Sequence, residues 1–105
     1  MKLLTNLHFK HVFNKSNKIK CQELIILKRN NKLSFPRLGI SISRKNIQHA
    51  HKRNKIKRII REVFRLIQYE LTYSDFVVIV NLYFKHSNNI IFRRKLENLW
   101  VRYYR

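Results

Sequence analysis

Acids are scarce in this chain. Of its 105 residues only five are acidic, Glu23, Glu62, Glu70, Asp75 and Glu97, and they lie scattered among basic or apolar neighbours. A nuclease that carries its own metal needs clustered carboxylates to hold the ions. Glu62 and Glu70 can share a helix flank, but no third acid joins them. A single cysteine, Cys21, excludes an internal disulfide and any zinc site built on several thiolates; it reads as a half-buried small residue. Nowhere do 18 apolar residues run together, so no membrane span is expected. The first residues lack a long apolar stretch and a small-residue cleavage site, which predicts no export and a reducing cytoplasm. Internal repeats and low-complexity tracts are absent too.

Positive charge is abundant instead. Twenty-four Lys and Arg give a formal charge of +19 and a pI near 10.9. Such a surface attracts polyanions, of which phosphate backbones are the usual ones. With 45% hydrophobic and 12% aromatic residues the chain should still fold, unlike a disordered basic tail. Its length predicts one domain over residues 1–105 with a modest core.

The charge concentrates between Arg44 and Arg65, where Glu62 is the only acid. From Arg53 onward, Ile56, Ile59, Ile60, Val63, Phe64, Ile67 and Leu71 recur at helical spacing and fall on one side of a wheel. Asn54, Lys57, Arg58, Arg61 and Arg65 gather on another. Arg53, Lys57, Arg61 and Arg65 form a row at i, i+4, in which each neighbouring pair repels by about 0.2–0.5 kcal/mol at low salt. Lys52, Arg53, Lys55 and Lys57 crowd the N-terminal end, where the helix dipole already presents positive charge and favours acids. A helix charged against its own stability implies an anionic partner.

The rest of the chain reads as short elements. Leu3 to about Asn14 predicts a helix capped near Thr5. Glu23–Lys28 suits a strand, and the polar stretch Arg29–Phe35 a turn that Pro36 ends. Leu38–Ser43 alternates, with Leu38, Ile40 and Ile42 toward a core and Gly39, Ser41 and Ser43 on the opposite face. The basic helix is expected from Lys52 to near Leu71, an interior strand over Phe76–Val80, a loop over Asn81–Asn89, and a last helix over Phe92–Tyr103. The predicted class is an α+β sandwich, a small mixed sheet with helices packed on one face.

Two further residue types bear on chemistry. His8 with His11 and His49 with His51 are close enough for acid–base ribonuclease work, but helix packing or phosphate contact suits their neighbourhoods better. Phe9 and Phe13, four apart on the first helix, either form a stacking platform for unpaired bases or pack in the core. Trp100, Tyr103 and Tyr104 read as core and surface packing.

The run Arg53-Asn54-Lys55-Ile56-Lys57-Arg58-Ile59-Ile60-Arg61-Glu62 resembles the signature of the bacterial ribonuclease P protein component, usually Arg-Asn-Arg-x-Lys-Arg-x-x-Arg-Glu. Arg37–Lys45 resembles the strand leading to it. Phe9-Lys10-His11-Val12-Phe13 is similar to the first-helix Phe-x-x-Val-Phe pattern, Asp75–Ile79 to the later strand and Leu96–Arg102 to the last helix. Lys55 departs from the usual Arg, keeping the charge but losing the bidentate fork.

The resemblance implies an α-β-β-β-α-β-α sandwich with a left-handed βαβ crossover, its extra strand a short piece near Ile19–Gln22. It implies a subunit that binds a catalytic RNA and the 5′ leader of precursor tRNA, while the RNA performs the hydrolysis with Mg²⁺. Lys52, Arg53, Asn54, Lys55, Lys57, Arg58, Arg61 and Arg65 would face the catalytic RNA. Phe9, Phe13, Ser41, Ser43, Arg44 and Lys45 would line the leader cleft. No catalytic residue is expected on the protein. Charge and size alone also fit a structural ribonucleoprotein component such as a small ribosomal protein. Membrane-surface binding by the basic helix would need a free apolar face.

Overall fold

A computed structural model describes residues 1–43, 47, 49–81 and 88–105. Along the chain run β1 (Lys2–Leu3), α1 (Asn6–Asn14), β2 (Asn17–Lys20), β3 (Leu24–Asn30), β4 (Arg37–Ile42), α2 (Ala50–Ile67), β5 (Ser74–Val80) and α3 (Asn89–Trp100). Short 3-10 turns at Gln68–Glu70 and Val101–Tyr103 close α2 and α3. The strands form one mixed sheet in the order β1-β4-β5-β3-β2. β5 runs parallel to β4 and antiparallel to β3, and α2 carries the chain between the parallel pair.

The central strands are apolar on both sides because both faces of the sheet are covered. Leu24, Ile26, Leu38, Phe76, Val78 and Val80 pack beneath α2 and α3 with Ile56, Ile60, Phe64, Leu96 and Trp100. An aromatic cluster fills its middle: the Trp100 ring centroid lies 5.7 Å from Phe64 and 5.0 Å, edge-on, from Phe76. On the opposite face Val12 of α1 packs against Leu27 and Val77. The expectation of helices on one face therefore holds for α2 and α3, whereas α1 takes the other. Val12 is the only residue of α1 that is fully buried, a single apolar contact that periodicity could not assign to a face.

The predicted extra strand exists as β2, paired antiparallel with β3 through Ile19↔Ile26. A fifth strand, β1, lies outside the predicted elements. The helix expected from Leu3 instead starts after Thr5, and Leu3 pairs in parallel with Leu38. The basic helix starts two residues earlier than predicted and ends at Ile67; Leu71 is buried instead in a bridge to Tyr104. Trp100 and Tyr103 are buried and Tyr104 exposed, as their packing roles predict. Most of the predicted loop after Asn81 lies outside the described residues.

Candidate nucleic-acid interface

The apolar stripe of α2 decides which side of the helix is left to solvent. Ile56, Ile60, Val63 and Phe64 are buried, and 3.6-residue periodicity then turns Lys52, Asn54, Lys55, Arg58, Arg61 and Arg65 outward; all six are exposed. The first turn holds no acid and its N-cap His49 makes no side-chain cap, so the positive end of the helix stays uncompensated. Along this face runs a groove of about 340 Å³ lined by Asn54, Lys57, Arg58, Arg61, Glu62, Arg65 and Met1.

Three members of the predicted set differ from the rest, and the first, Lys57, is half-buried. Arg53 is half-buried and donates from Nη1 to the Ile47 carbonyl at 2.8 Å, holding the segment that enters the helix. Arg65 donates to both Glu62 oxygens, at 2.7 and 3.3 Å. The Arg65 hydrogen bonds hold the Glu62 carboxyl below its usual range, so part of Arg65's charge is spent. Among the described residues no acid pairs with Lys57, Arg58 or Arg61.

The second predicted surface lies around α1. Phe9 and Phe13 stack with ring centroids 6.2 Å apart and planes inclined by 27°. The alternatives left open for them divide between the two rings: Phe9 is half-buried against the Val12 cluster, and Phe13 is half exposed. Phe9 lies flat because position 39 has no side chain. A Cβ on Gly39 would sit 2.6 Å from Phe9 Cζ. Beyond it Ser41 is half-buried on β4, and Ser43, just past the strand's end at Ile42, is exposed. Arg44 and Lys45, predicted to join this cleft, lie outside the described residues.

Gly39→Ala is accordingly expected to lift the Phe9 ring off the sheet. Overpacking costs about 1–3 kcal/mol, and since a ring at the end of a flexible side chain can swing away, the loss should fall near 1 kcal/mol. Urea unfolding measures it; an unchanged midpoint would show that the ring does not depend on the missing Cβ.

What positions α1 was not legible in the sequence. Arg37 on β4 makes a two-pronged pair with buried Asp75 of β5, Nε to Oδ1 at 2.8 Å and Nη2 to Oδ2 at 2.7 Å. Asn31 donates to the same carboxylate at 3.0 Å. Burial pushes the Asp75 carboxyl up, but the Arg37 and Asn31 hydrogen bonds outweigh it and hold it below the usual range. The remaining guanidinium nitrogen, Nη1, reaches His8 Nε2 of α1 at 3.1 Å. On the ring's other side Nδ1 accepts from the Thr5 backbone N–H at 3.1 Å and lies 3.1 Å from the Thr5 hydroxyl, closing a capping box at the helix start. At the other end Arg29 donates to the His11 carbonyl at 2.8 Å. His8 is thus occupied in anchoring the helix. His49 and His51 are exposed, their rings 5.6 Å apart at the start of α2.

The register adds two cations that the sequence reading missed. Lys18 and Lys20 on β2 lie opposite Leu27 and Ile25, which belong to the α1 side of the sheet. Paired residues share a face, so both lysines lie on the α1 face of the sheet, at its β2 edge. Only the ladder reveals this, because β2 alone has no clear alternation.

The described residues offer no side-chain set for a resident metal ion. Among the described residues no three His, Cys, Asp or Glu side chains come together. Glu23, Glu62, Asp75 and Glu97 each pair with a basic side chain. Nor is any described helix long and apolar enough to cross a membrane.

The chain is similar to known proteins in both sequence and fold. The pattern of the family described as Ribonuclease P matches residues 1–104. The ribonuclease P protein component of Buchnera aphidicola subsp. Baizongia pistaciae is 54% identical over 103 residues, covering 98% of this chain and 90% of that protein. Its counterpart from Buchnera aphidicola subsp. Acyrthosiphon pisum is 51% identical over 108 residues, 100% of this chain and 92% of the relative. The solved RNase P protein from Thermotoga maritima superposes with a TM-score of 0.83 at 31% identity, covering 97% of this chain and 96% of that one. With sequence and fold agreeing over nearly its whole length, the chain belongs to the ribonuclease P protein family.

Proposed function

We propose that this protein acts as the accessory subunit of a ribonucleoprotein endonuclease, holding a catalytic RNA on α2 and the 5′ leader of precursor tRNA in the cleft beside α1. The observation that carries the reading is the triplet Lys57, Arg58 and Arg61, cations without an acid partner among the described residues, on a helix whose stability they reduce. Lys52, Asn54 and Lys55 extend that face toward the helix N-terminus. Phe13, with its ring half exposed, offers a stacking surface for an unpaired base, and Ser41 and Ser43 leave the backbone of β4 approachable. Arg44 and Lys45 follow in sequence and would add phosphate contacts.

The chemistry is assigned to the RNA partner, which would also hold the Mg²⁺. The protein's own carboxylates are scattered and mostly neutralised by basic neighbours, so it supplies binding and orientation. Reconstitution with the cognate catalytic RNA at low Mg²⁺, with and without this protein, tests the reading. Cleavage of the leader should be strongly stimulated by the protein, and protein free of RNA should leave precursor tRNA intact. Cleavage by the protein alone would overturn the division of labour. Ribosomal RNA co-purifying in place of the catalytic RNA would point to a structural ribonucleoprotein component.

A further inference from the structure

Between the two surfaces lies a hollow of about 150 Å³. It forms where β1 stops short. Leu4 N–H still bonds the Leu38 carbonyl at 2.9 Å, but the chain then turns into α1 and leaves the rest of the β4 edge without a strand partner. Backbone groups alternate sides along a strand. Because Leu38 directs its carbonyl toward β1, Ile40 directs its N–H and C=O toward the same, now uncovered, edge. Leu3, Leu4, Phe9 and Ile40 supply apolar walls, and Lys57 and Arg61 stand at the rim.

We propose that this hollow receives one unstacked base of the catalytic RNA, with the phosphates flanking it held by Lys57 and Arg61. The inference rests on the RNA-binding reading above. A hollow of this volume, with apolar side chains on its walls and two cations at its rim, has room for about one aromatic ring. The edge of Ile40 offers it a donor and an acceptor side by side, which is what the hydrogen-bonding edge of a base requires. Both rim cations lack an acid partner among the described residues, and both belong also to the groove along α2, so the strand bound to α2 passes the mouth of the hollow. That shared rim assigns the base to the catalytic RNA rather than to the leader.

The test uses the full chain with labelled Leu and Ile methyl groups and a filling substitution, Leu3→Trp. Leu3 is half exposed on a two-residue strand, so the variant should fold, and its melting curve checks that. Adenosine 5′-monophosphate should shift the Leu3, Leu4 and Ile40 methyl signals saturably, while inorganic phosphate leaves them in place. Leu3→Trp should abolish the Leu4 and Ile40 shifts. It should weaken catalytic-RNA binding about tenfold, the loss of one base contact, with the salt slope unchanged because no charge is removed. Leu7→Trp, at a leucine 76% exposed on α1, should leave binding unaltered.

Equal shifts from phosphate and the nucleotide, or RNA binding by Leu3→Trp as tight as the unaltered protein's, would overturn the base pocket while leaving the RNA-binding reading standing. A tenfold loss confined to a leader oligonucleotide would overturn its assignment to the catalytic RNA. Failure of the unaltered protein to bind the catalytic RNA would remove both.

Discussion

Replacing Lys57, Arg58 and Arg61 together by alanine is expected to weaken binding of the catalytic RNA by roughly 10²–10³ at 0.1 M salt while leaving the fold as stable or slightly more so. The first part follows from counterion release. Each phosphate contact contributes about 0.7–0.9 to the slope of log affinity against log salt, hence nearly tenfold at 0.1 M. Removing three should lower the slope by about two to three. The second part follows from the arrangement on the helix. Lys57 and Arg61 repel at i, i+4 and Arg58 and Arg61 at i, i+3, each pair by about 0.2–0.5 kcal/mol, and alanine is the better helix former. None of the three forms an ion pair among the described residues that would be lost. A melting curve and a salt titration decide the matter together. Weaker binding with an unchanged slope, or a destabilised fold, would show that these side chains do not meet phosphates. Arg65→Ala should cost less, since Glu62 already occupies that guanidinium.

Asp75→Ala should produce the largest single-residue loss of stability outside the aromatic core. The carboxylate is 3% exposed and accepts from Arg37 twice and from Asn31. Removing one partner of a buried pair costs about 3–5 kcal/mol because the other charge is stranded. The Arg37 side chain is 18% exposed and can recover some water, so about 3 kcal/mol is expected by urea unfolding. The pair also sets a pH dependence. Asp75 ionises at lower pH in the folded state than in the unfolded chain. Its contribution is therefore complete above the ordinary aspartate value near 3.9 and is lost as pH falls through the lower folded value. The variant should show a flatter stability curve in that acid window, and an identical slope would mean that other carboxylates carry it. Because Arg37 also holds His8, the substitution should loosen α1, and with it Phe9 and Phe13.

How much of this was legible in the sequence depended on the range of the interactions. The basic face of α2 could be read because helical periodicity alone places Ile56, Ile60 and Phe64 opposite Arg58 and Arg61. The same applies to β4, where alternation separated Leu38 and Ile40 from Gly39 and Ser41. Against this, α1 had one fully buried residue, Val12, and two phenylalanines whose roles periodicity could not divide. The Gly39 vacancy divided them, by drawing Phe9 down and leaving Phe13 out.

Charge by itself pointed to a polyanionic partner, and the spacing of its cations pointed to one helix as the surface for it, since both are properties of local sequence. The signature around Arg53–Glu62 established the family. Only the tertiary structure decided that Lys18 and Lys20 share the sheet face of α1, that Arg37, Asp75 and His8 join two strands to α1, and that β1 ends early enough to leave a hollow between the two candidate surfaces. Each of these depends on residues far apart in the chain, brought together by strand register and burial, and no local pattern encodes such meetings.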